Sequence, residues 1–166
     1  EECPVDIDQV AMVVDLRRGQ VDAGKLDGGH ETALARTAAH GNPWGVSPGE
    51  REIWLKGQGV ETAEAGNSYD ILYWLGCAAS FDPRMRDVAK AMFEILRAAG
   101  ISFAVLGNRE YCTGDFARRA GDEGLFQRHV AANLNALAEV TAPRVLTHCA
   151  HCFDSFRNEY PDFGEM

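Results

Sequence analysis

The sequence has no concentration of positive charge and no long apolar run. Its 166 residues include 16 Lys and Arg against 25 Asp and Glu, a net charge of −9. Nucleic acids are bound by surfaces with clustered positive charge, so this composition argues against that class of partner. No apolar run approaches the ~20 residues that a membrane-spanning helix needs, so we expect no membrane span within this segment.

Several motifs with known chemistry are also missing. There is no G-x-G-x-x-G fingerprint, no P-loop and no nucleophile elbow, so nothing indicates dinucleotide binding, nucleotide phosphate binding or serine hydrolysis. The five cysteines are an odd number, so a secreted disulfide framework would leave one unpaired. The chain starts at Glu1 without an initiator methionine or a signal-peptide pattern, and we expect a segment of a longer polypeptide.

The first 66 residues predict a mostly helical segment. Apolar residues at helical spacing predict a helix over residues 5–21, and Ser47-Pro48 is typical of an N-cap with proline in the first helical position. Residues 57–68 are rich in Gly, Ala, Glu and Ser. We therefore predict a boundary between a helical segment at 1–66 and a second domain at 67–166.

Short apolar runs alternate with amphipathic stretches in the second domain. Strands are predicted at residues 69–75, 102–106 and 143–147, and helices from Pro83 and from Glu123. A last helix is predicted after Cys152 as far as about Tyr160, where Pro161 would stop it. Asp82 is expected to cap the helix that starts at Pro83. This alternation predicts an α/β fold, a small three-layer domain with a short parallel sheet.

Four cysteines follow the predicted strands of this sheet. They are Cys77, Cys112, Cys149 and Cys152, called the cysteine site below. Because ligands bind beyond the carboxyl ends of parallel strands, we expect the four sulfurs to meet at one edge. Four thiolates hold a [4Fe–4S] cluster or a zinc ion, so these residues are predicted metal ligands.

Features next to the cysteines fit a bulky cofactor. Gly76 and Gly114 would let the backbone approach it, so both are predicted cofactor-binding residues. The helices after Cys77, Cys112 and Cys152 are expected to direct backbone N–H groups at the site and to stabilise its negative charge.

Other interpretations of the cysteines stay open. A structural Cys₄ zinc site would indicate an interaction domain without redox activity. Thiol–disulfide exchange at Cys149-x-x-Cys152 is a third interpretation, which leaves Cys77 and Cys112 unexplained. Those two residues could also be small buried hydrophobic side chains.

The motifs around these cysteines resemble a known family. In chain order they are Gly76-Cys77, Cys112-Thr113-Gly114-Asp115, Ala117-Arg118-Arg119 and Cys149-x-x-Cys152-Phe153. Over residues 69–163 they resemble the cysteine-rich CCG domain of heterodisulfide reductase subunits, glycolate oxidase iron–sulfur subunits and related iron–sulfur oxidoreductases. Asn42-Pro43-Trp44-Gly45 and Glu159-Tyr160-Pro161 are most similar to the membrane-associated branch that links electron transfer flavoprotein to quinone.

The resemblance implies an electron-transfer segment of an iron–sulfur oxidoreductase. It implies a [4Fe–4S] cluster at the cysteine site, a flavoprotein or ferredoxin as donor, and a quinone or disulfide as acceptor. It also implies a cytoplasmic location, at the inner face of the membrane where further parts of the chain would attach it. No residue is assigned a catalytic acid, base or nucleophile role.

The name-giving motif of that family is incomplete here. The family has adjacent cysteines before glycine, whereas Tyr111 precedes Cys112 and Thr113 separates it from Gly114. The five-thiolate ligand set of a non-cubane cluster therefore lacks a member, and four ligands fit an ordinary cube or zinc at least as well. The family's usual second copy of the domain is absent from this sequence.

Cys3-Pro4 resembles the end of a bacterial ferredoxin motif, in which proline follows the last cluster cysteine. With the family resemblance, we expect Cys3 to be the last ligand of a separate cluster whose other ligands lie upstream. Residues 1–66 would then hold the tail of a ferredoxin-like module and a linker, and that module would pass electrons towards the cysteine site.

Other polar and aromatic residues have simpler interpretations. His148 and His151 flank the last cysteines and could contact a metal or its sulfurs, but packing or solvent exposure is the commoner role. Asp115 is expected to cap the helix that follows it. Arg118 and Arg119 either offset cluster charge or belong to a solvated helix face. Core, loop or surface roles are the default for His30, His40, His129, Trp44, Trp54 and Trp74.

Overall fold

The computed structural model describes residues 4–5, 7 and 9–164, and within them the chain has an α/β fold. The helices are α1 (Gln9–Asp22), α2 (Gly28–His40), α3 (Gly49–Lys56), α4 (Gly76–Phe81), α5 (Pro83–Ala98), α6 (Asp115–Ala120), α7 (Glu123–Ala138) and α8 (Ala150–Asp154). The strands are β1 (Ile71–Trp74), β2 (Phe103–Ala104) and β3 (Val145–Thr147).

The strands form one parallel sheet in the order β2–β1–β3. Ile71 pairs with Phe103 on one side of β1, and Leu72 pairs with Val145 on the other. All four residues of β1 are buried, as expected for the central strand of a parallel sheet that is covered on both faces. The predicted α/β class and parallel sheet are therefore confirmed, although each strand is shorter than its apolar run.

Alternate residues of β1 face two separate hydrophobic clusters. Leu72 and Trp74 pack with α6, α7 and the C-terminal turns, whereas Ile71 and Tyr73 pack with α3 and α5. Because side chains of a strand point alternately to its two faces, this pattern requires helices on both sides of the sheet. The result is the predicted three-layer arrangement, with the carboxyl ends of all three strands on one edge.

Two helix starts in the N-terminal half differ from the prediction. α1 begins at Gln9, because Val5 lies in a turn. In α3 the N-cap is Pro48 rather than Ser47, and no side chain caps the helix. Pro48 already has a helical backbone conformation, and the N–H of Glu50 donates to the Ser47 carbonyl, so a tight turn opens this helix instead.

The C-terminal segment differs from the prediction as well. One helix was predicted as far as Tyr160, but the structure has three short helical segments there. α8 ends at Asp154, and a π-helical turn over Ser155–Glu159 and a 3₁₀ turn over Tyr160–Asp162 follow it. Pro161 lies inside this last turn rather than stopping the helix, because proline is tolerated in the first turn of a helical segment.

The predicted cap of α5 is present. Asp82 accepts a hydrogen bond of 3.0 Å from the N–H of Met85, with Pro83 in the first turn. We expect Asp82→Ala to lower the free energy of unfolding by about 1 kcal/mol, because one N–H of the first turn loses its acceptor. Urea denaturation measures this change. Asp87→Ala is the control on the same helix, since its exposed pair with Lys90 should change stability by less than about 0.5 kcal/mol. Equal losses in both variants would contradict the capping role.

The N-terminal helices pack on the cysteine-rich part of the chain. α1 and α2 both contact α6, and Gly121 lies so near α1 that an added Cβ would be 2.5 Å from the Arg17 carbonyl carbon. The N–H of Ala63 donates to the carbonyl of Val105 at 2.8 Å, which ties the segment at 57–68 to the sheet. The division into residues 1–66 and 67–166 stays a prediction. Among the described residues, every helix is too short or too polar to cross a membrane.

Candidate functional site

The loops at the carboxyl edge of the sheet bring the four predicted cysteines to one cavity. Cys77 is the second residue of α4, directly after β1, and Cys149 is the N-cap of α8, after β3. Cys112 comes from the longer loop between β2 and α6, and Cys152 lies inside α8. All four line the same open cavity of about 780 Å³. Cys3 lies outside the described residues, so its predicted role stays a prediction.

The four thiols are free and form two close pairs. Cys77 Sγ lies 3.9 Å from Cys112 Sγ, far beyond the ~2.05 Å of a disulfide bond. The Cys77 thiol donates to Cys112, which raises the pKa of Cys77 and lowers that of Cys112. In the second pair, a hydrogen bond from Cys152 lowers the pKa of Cys149 to about 5 and raises that of Cys152. Metals bind thiolates, and in each pair the thiol with the lowered pKa, Cys112 or Cys149, is the one that loses its proton more readily.

Backbone N–H groups point at the two sulfurs whose pKa is lowered, those of Cys112 and Cys149. The N–H of Gly114 donates to Cys112 Sγ, and the N–H groups of His151 and Cys152 donate to Cys149 Sγ. The helix that directs N–H groups at the second pair begins after Cys149, one turn earlier than the predicted start after Cys152, because Cys149 itself takes the N-cap position. Such donors stabilise thiolates. The helix that was predicted to begin after Cys77 begins at Gly76 instead, so Cys77 lies inside α4.

The two predicted glycines lie in different surroundings. Gly76 has φ +74°, and a Cβ there would lie 3.2 Å from Cys152 Sγ, so its missing side chain leaves space beside the sulfurs. Gly114 has φ +88°, and its Cβ would lie 2.8 Å from Phe126 Cδ2, so its missing side chain lets α7 approach. Both residues border the cysteine site, but only the missing side chain of Gly76 leaves room next to a cysteine sulfur.

These residues fit a sulfur-bound inorganic group. Thiolates are soft ligands that suit iron–sulfur clusters and zinc. The cavity is far larger than the ~30 Å³ that one water molecule occupies, and its lining is mostly apolar. Among the described residues, no three His, Cys, Asp or Glu side chains converge closely enough to hold one metal ion as they stand.

Comparison with known proteins identifies the family. The model of the cysteine-rich domain CCG matches residues 71–157, which run from β1 through all four cysteines of the site. The chain belongs to the cysteine-rich CCG domain family. No solved structure matches this member of the family.

Curated relatives of this CCG chain include named oxidoreductases. The EtfAB:quinone oxidoreductase of Syntrophomonas wolfei is 36% identical over 99% of this chain and 24% of its own length. The probable iron–sulfur-binding oxidoreductase FadF of Bacillus subtilis is also 36% identical, over 99% and 24%. A subunit of the dihydromethanophenazine:CoB–CoM heterodisulfide reductase of Methanosarcina barkeri is 26% identical over 96% of this chain and 38% of its own. The chain therefore spans about a quarter to two-fifths of these relatives.

Three buried residues, His129, Asn133 and Tyr160, hold the Cys112 loop from behind. His129 Nδ1 lies 2.9 Å from the carbonyl of Cys112, and the Asn133 amide donates to the same oxygen at 3.2 Å. The Tyr160 hydroxyl donates to the carbonyl of Thr113 at 3.0 Å. His129 therefore has a role that its sequence context did not indicate. Asn133 and Tyr160 were also missed, because they lie 21 and 48 positions after Cys112 and no local motif links them to it.

A buried ion pair, also missed, lies beneath the loop that carries Cys77. Arg51 and Glu110 are 1% and 2% exposed, and Arg51 Nη2 lies 3.7 Å from Glu110 Oε1. Burial raises the pKa of Glu110, while Arg51 and backbone N–H groups oppose that rise. Buried charges are costly unless they are paired, and here each side chain has the other as its partner.

A charged network joins the helices that follow the cysteines. Asp115 does not cap α6, because Gly114 is the N-cap and has no side chain to accept a bond. The Asp115 carboxylate instead lies 3.3 Å from Arg119, which also donates to Asp154 at 3.0 Å and to Glu159 at 2.6 Å. Arg119 is therefore more than part of a solvated helix face, since it links α6 to the turns after α8.

The remaining predicted candidates divide between the core and the cavity. His148 Nδ1 lies 2.7 Å from the Tyr73 hydroxyl, which fits the packing role rather than a ligand role. Trp44 and the exposed His151 line the cavity beside the cysteines. Trp74 is fully buried in the core against Phe156.

Proposed function

We propose that this chain is an electron-transfer segment of an iron–sulfur oxidoreductase, with Cys77, Cys112, Cys149 and Cys152 holding the cluster. One observation carries the proposal: four sulfurs from three separate loops line a single cavity at the carboxyl edge of the sheet. Membership of the CCG family and relatives named as iron–sulfur oxidoreductases support it. A cluster bound there would accept and release single electrons.

We favour a [4Fe–4S] cluster over zinc at this site. Relatives of this chain are named as iron–sulfur proteins, and such clusters are held by cysteine thiolates. Gly76 leaves room beside Cys152, and the backbone N–H groups of Gly114 and His151 would donate to ligand sulfurs. Such hydrogen bonds raise the reduction potential of a cluster, because they stabilise its more negative reduced state.

The open side of the cavity would face the electron-transfer partner. Trp44 and Phe116 form an apolar border there, and Asp115, Arg119 and Asp154 add charges of both signs. We propose a flavoprotein or ferredoxin as the donor and a quinone or disulfide as the acceptor, in keeping with the names of the relatives. Cys3 would belong to a second cluster, and further parts of the polypeptide would bring the segment to the cytoplasmic face of a membrane.

Anaerobic purification of the chain tests this proposal. We expect brown protein with broad absorption near about 400 nm, the ligand-to-metal colour of a thiolate-bound cluster. Iron and acid-labile sulfide should be bound in equal amounts, and reduction with dithionite should produce an electron paramagnetic resonance signal. Colourless protein with one zinc per chain would support the interaction-domain interpretation instead. Metal-free protein with a Cys149–Cys152 disulfide would support thiol exchange, and either result would contradict the cluster.

A further inference from the structure

Glu110 lies beneath the turn that presents Cys77, and its two oxygens have different partners. Oε1 accepts the N–H of Gly76 at 2.7 Å, and Oε2 accepts the N–H of Leu75 at 3.1 Å. The side chain of Glu110 has no exposed surface. Backbone N–H donors and the nearby guanidinium of Arg51 surround the carboxylate, which is the arrangement that suits its charged form.

Arg51 completes the support from a different part of the chain. It comes from α3, 59 positions before Glu110, and is fully buried. Its Nε donates to Ser80 Oγ at 2.6 Å, and Ser80 Oγ donates in turn to the carbonyl of Gly76 at 2.7 Å. The N–H of Gly76 is thus held by Glu110, and its carbonyl is held by Ser80, which Arg51 orients.

The same guanidinium also reaches the loop that leads to Cys112. Arg51 Nη1 donates to the carbonyl of Gly107 at 3.0 Å and to the carbonyl of Glu110. One buried side chain therefore contacts the backbone ahead of Cys112 and, through Ser80, the backbone ahead of Cys77. These are the two cysteines whose sulfurs lie 3.9 Å apart.

We propose that Arg51 and Glu110 are positioning residues that hold the Gly76 turn in its left-handed conformation and so fix the Cys77 sulfur within the cysteine site. The inference rests on the proposed function, since it assigns the pair to cluster binding rather than to stability alone. An apolar pair would fill the same space without the cost of burying two charges. The hydrogen bonds to Leu75, Gly76, Ser80 and Gly107 are what only the charged pair can supply.

The test compares Glu110→Gln with Glu139→Gln in the full 166-residue chain, purified without oxygen. Glutamine keeps the shape of Glu110 but has one acceptor oxygen, so one of the two backbone N–H groups loses its partner. Glu139 pairs with Arg109 at the surface and serves as the matched control. Iron content, the electron paramagnetic resonance signal and the midpoint potential are measured for both variants.

We expect Glu110→Gln to keep at least part of its iron, to change the shape of the resonance signal and to shift the midpoint potential, because the turn before Cys77 loses one of its two hydrogen bonds to residue 110. Glu139→Gln should match the wild type. A signal and potential in Glu110→Gln that are the same as in the wild type would overturn the inference. A change of equal size in both variants would overturn it too, because the effect would then not depend on position.

Two further measurements cover a variant that does not fold and a wild type that binds no iron. If Glu110→Gln fails to fold by circular dichroism, Arg51→Lys takes its place, since lysine keeps the charge but lacks the fork of donors, and the same readouts apply. If the wild type binds no iron, the proposed function fails. The positioning of the Cys77 sulfur by Arg51 and Glu110 is then measured in the metal-free protein, as the rate at which iodoacetamide alkylates Cys77. Faster alkylation of Cys77 in the variant, with Cys149 unchanged, would support the inference, and equal rates would refute it.

Discussion

Replacing Cys112 with serine is expected to remove most of the iron from anaerobically purified protein. Cys112 is buried at the cavity, and serine has nearly the same size, so the fold should tolerate the change while one soft ligand is lost. Loss of residues that only orient ligands typically weakens metal binding by about 10- to 100-fold, and loss of a ligand itself should exceed that range. Iron analysis and absorption near about 400 nm measure the result.

The chain contains its own control for this experiment. Cys3 is the fifth cysteine, and its predicted partners lie outside this sequence, so Cys3→Ser should leave the iron content unchanged. Circular dichroism of both variants separates loss of a ligand from loss of the fold. Full iron content in Cys112→Ser would remove Cys112 from the ligand set, and equal loss in both variants would contradict the assignment of ligands to the cavity.

Gly76→Ala is expected to have the second large effect. Gly76 has φ +74°, a conformation that costs about 1–2 kcal/mol for a residue with a Cβ. The added methyl carbon would also lie 3.2 Å from Cys152 Sγ and 3.8 Å from Cys149 Cβ, on the side where a cluster would bind. We therefore expect loss of stability together with about 10- to 100-fold weaker iron binding, because the Cys152 sulfur must shift.

Gly100→Ala separates these two effects. Gly100 has φ +67°, so it carries a similar backbone strain, but its Cβ would lie more than 4 Å from other described atoms outside its own helix and chain neighbours. Both variants should lose similar free energy of unfolding in urea, and only Gly76→Ala should lose iron. Equal iron content in the two variants would show that Gly76 serves the turn alone and not the cysteine site.

Local patterns were sufficient to predict the layered fold. The apolar run of β1, the Asp82-Pro83 start of α5 and the stripe of α7 each lie within one element, so short-range preferences reveal them. The predicted ends of strands and helices were wrong where contacts with other parts of the chain determine them. β2 has two ladder residues rather than five because only Phe103 and Ala104 pair in register with β1.

Some residues of the site could be predicted from the sequence and others could not. The four cysteines could be predicted because the topology of a parallel sheet brings the strand ends together, and the structure places all four on one cavity. Glu110 and Arg51 could not be predicted as part of the site, because charged residues usually lie at the surface and only the tertiary structure shows that these two are buried. Asn133 and Tyr160 were missed for the same reason, since their partners are backbone atoms of the Cys112 loop.

The sequence by itself determined the order of strands and helices, the family and which four cysteines lie at the strand ends, because these depend on spacing and on residue type. Only the tertiary structure decided how the sulfurs pair, which side of Gly76 stays open and which buried charges support the Cys77 turn. Those features depend on atoms far apart in the chain, such as Arg51 and Glu110, that meet only after the sheet and its helices have packed.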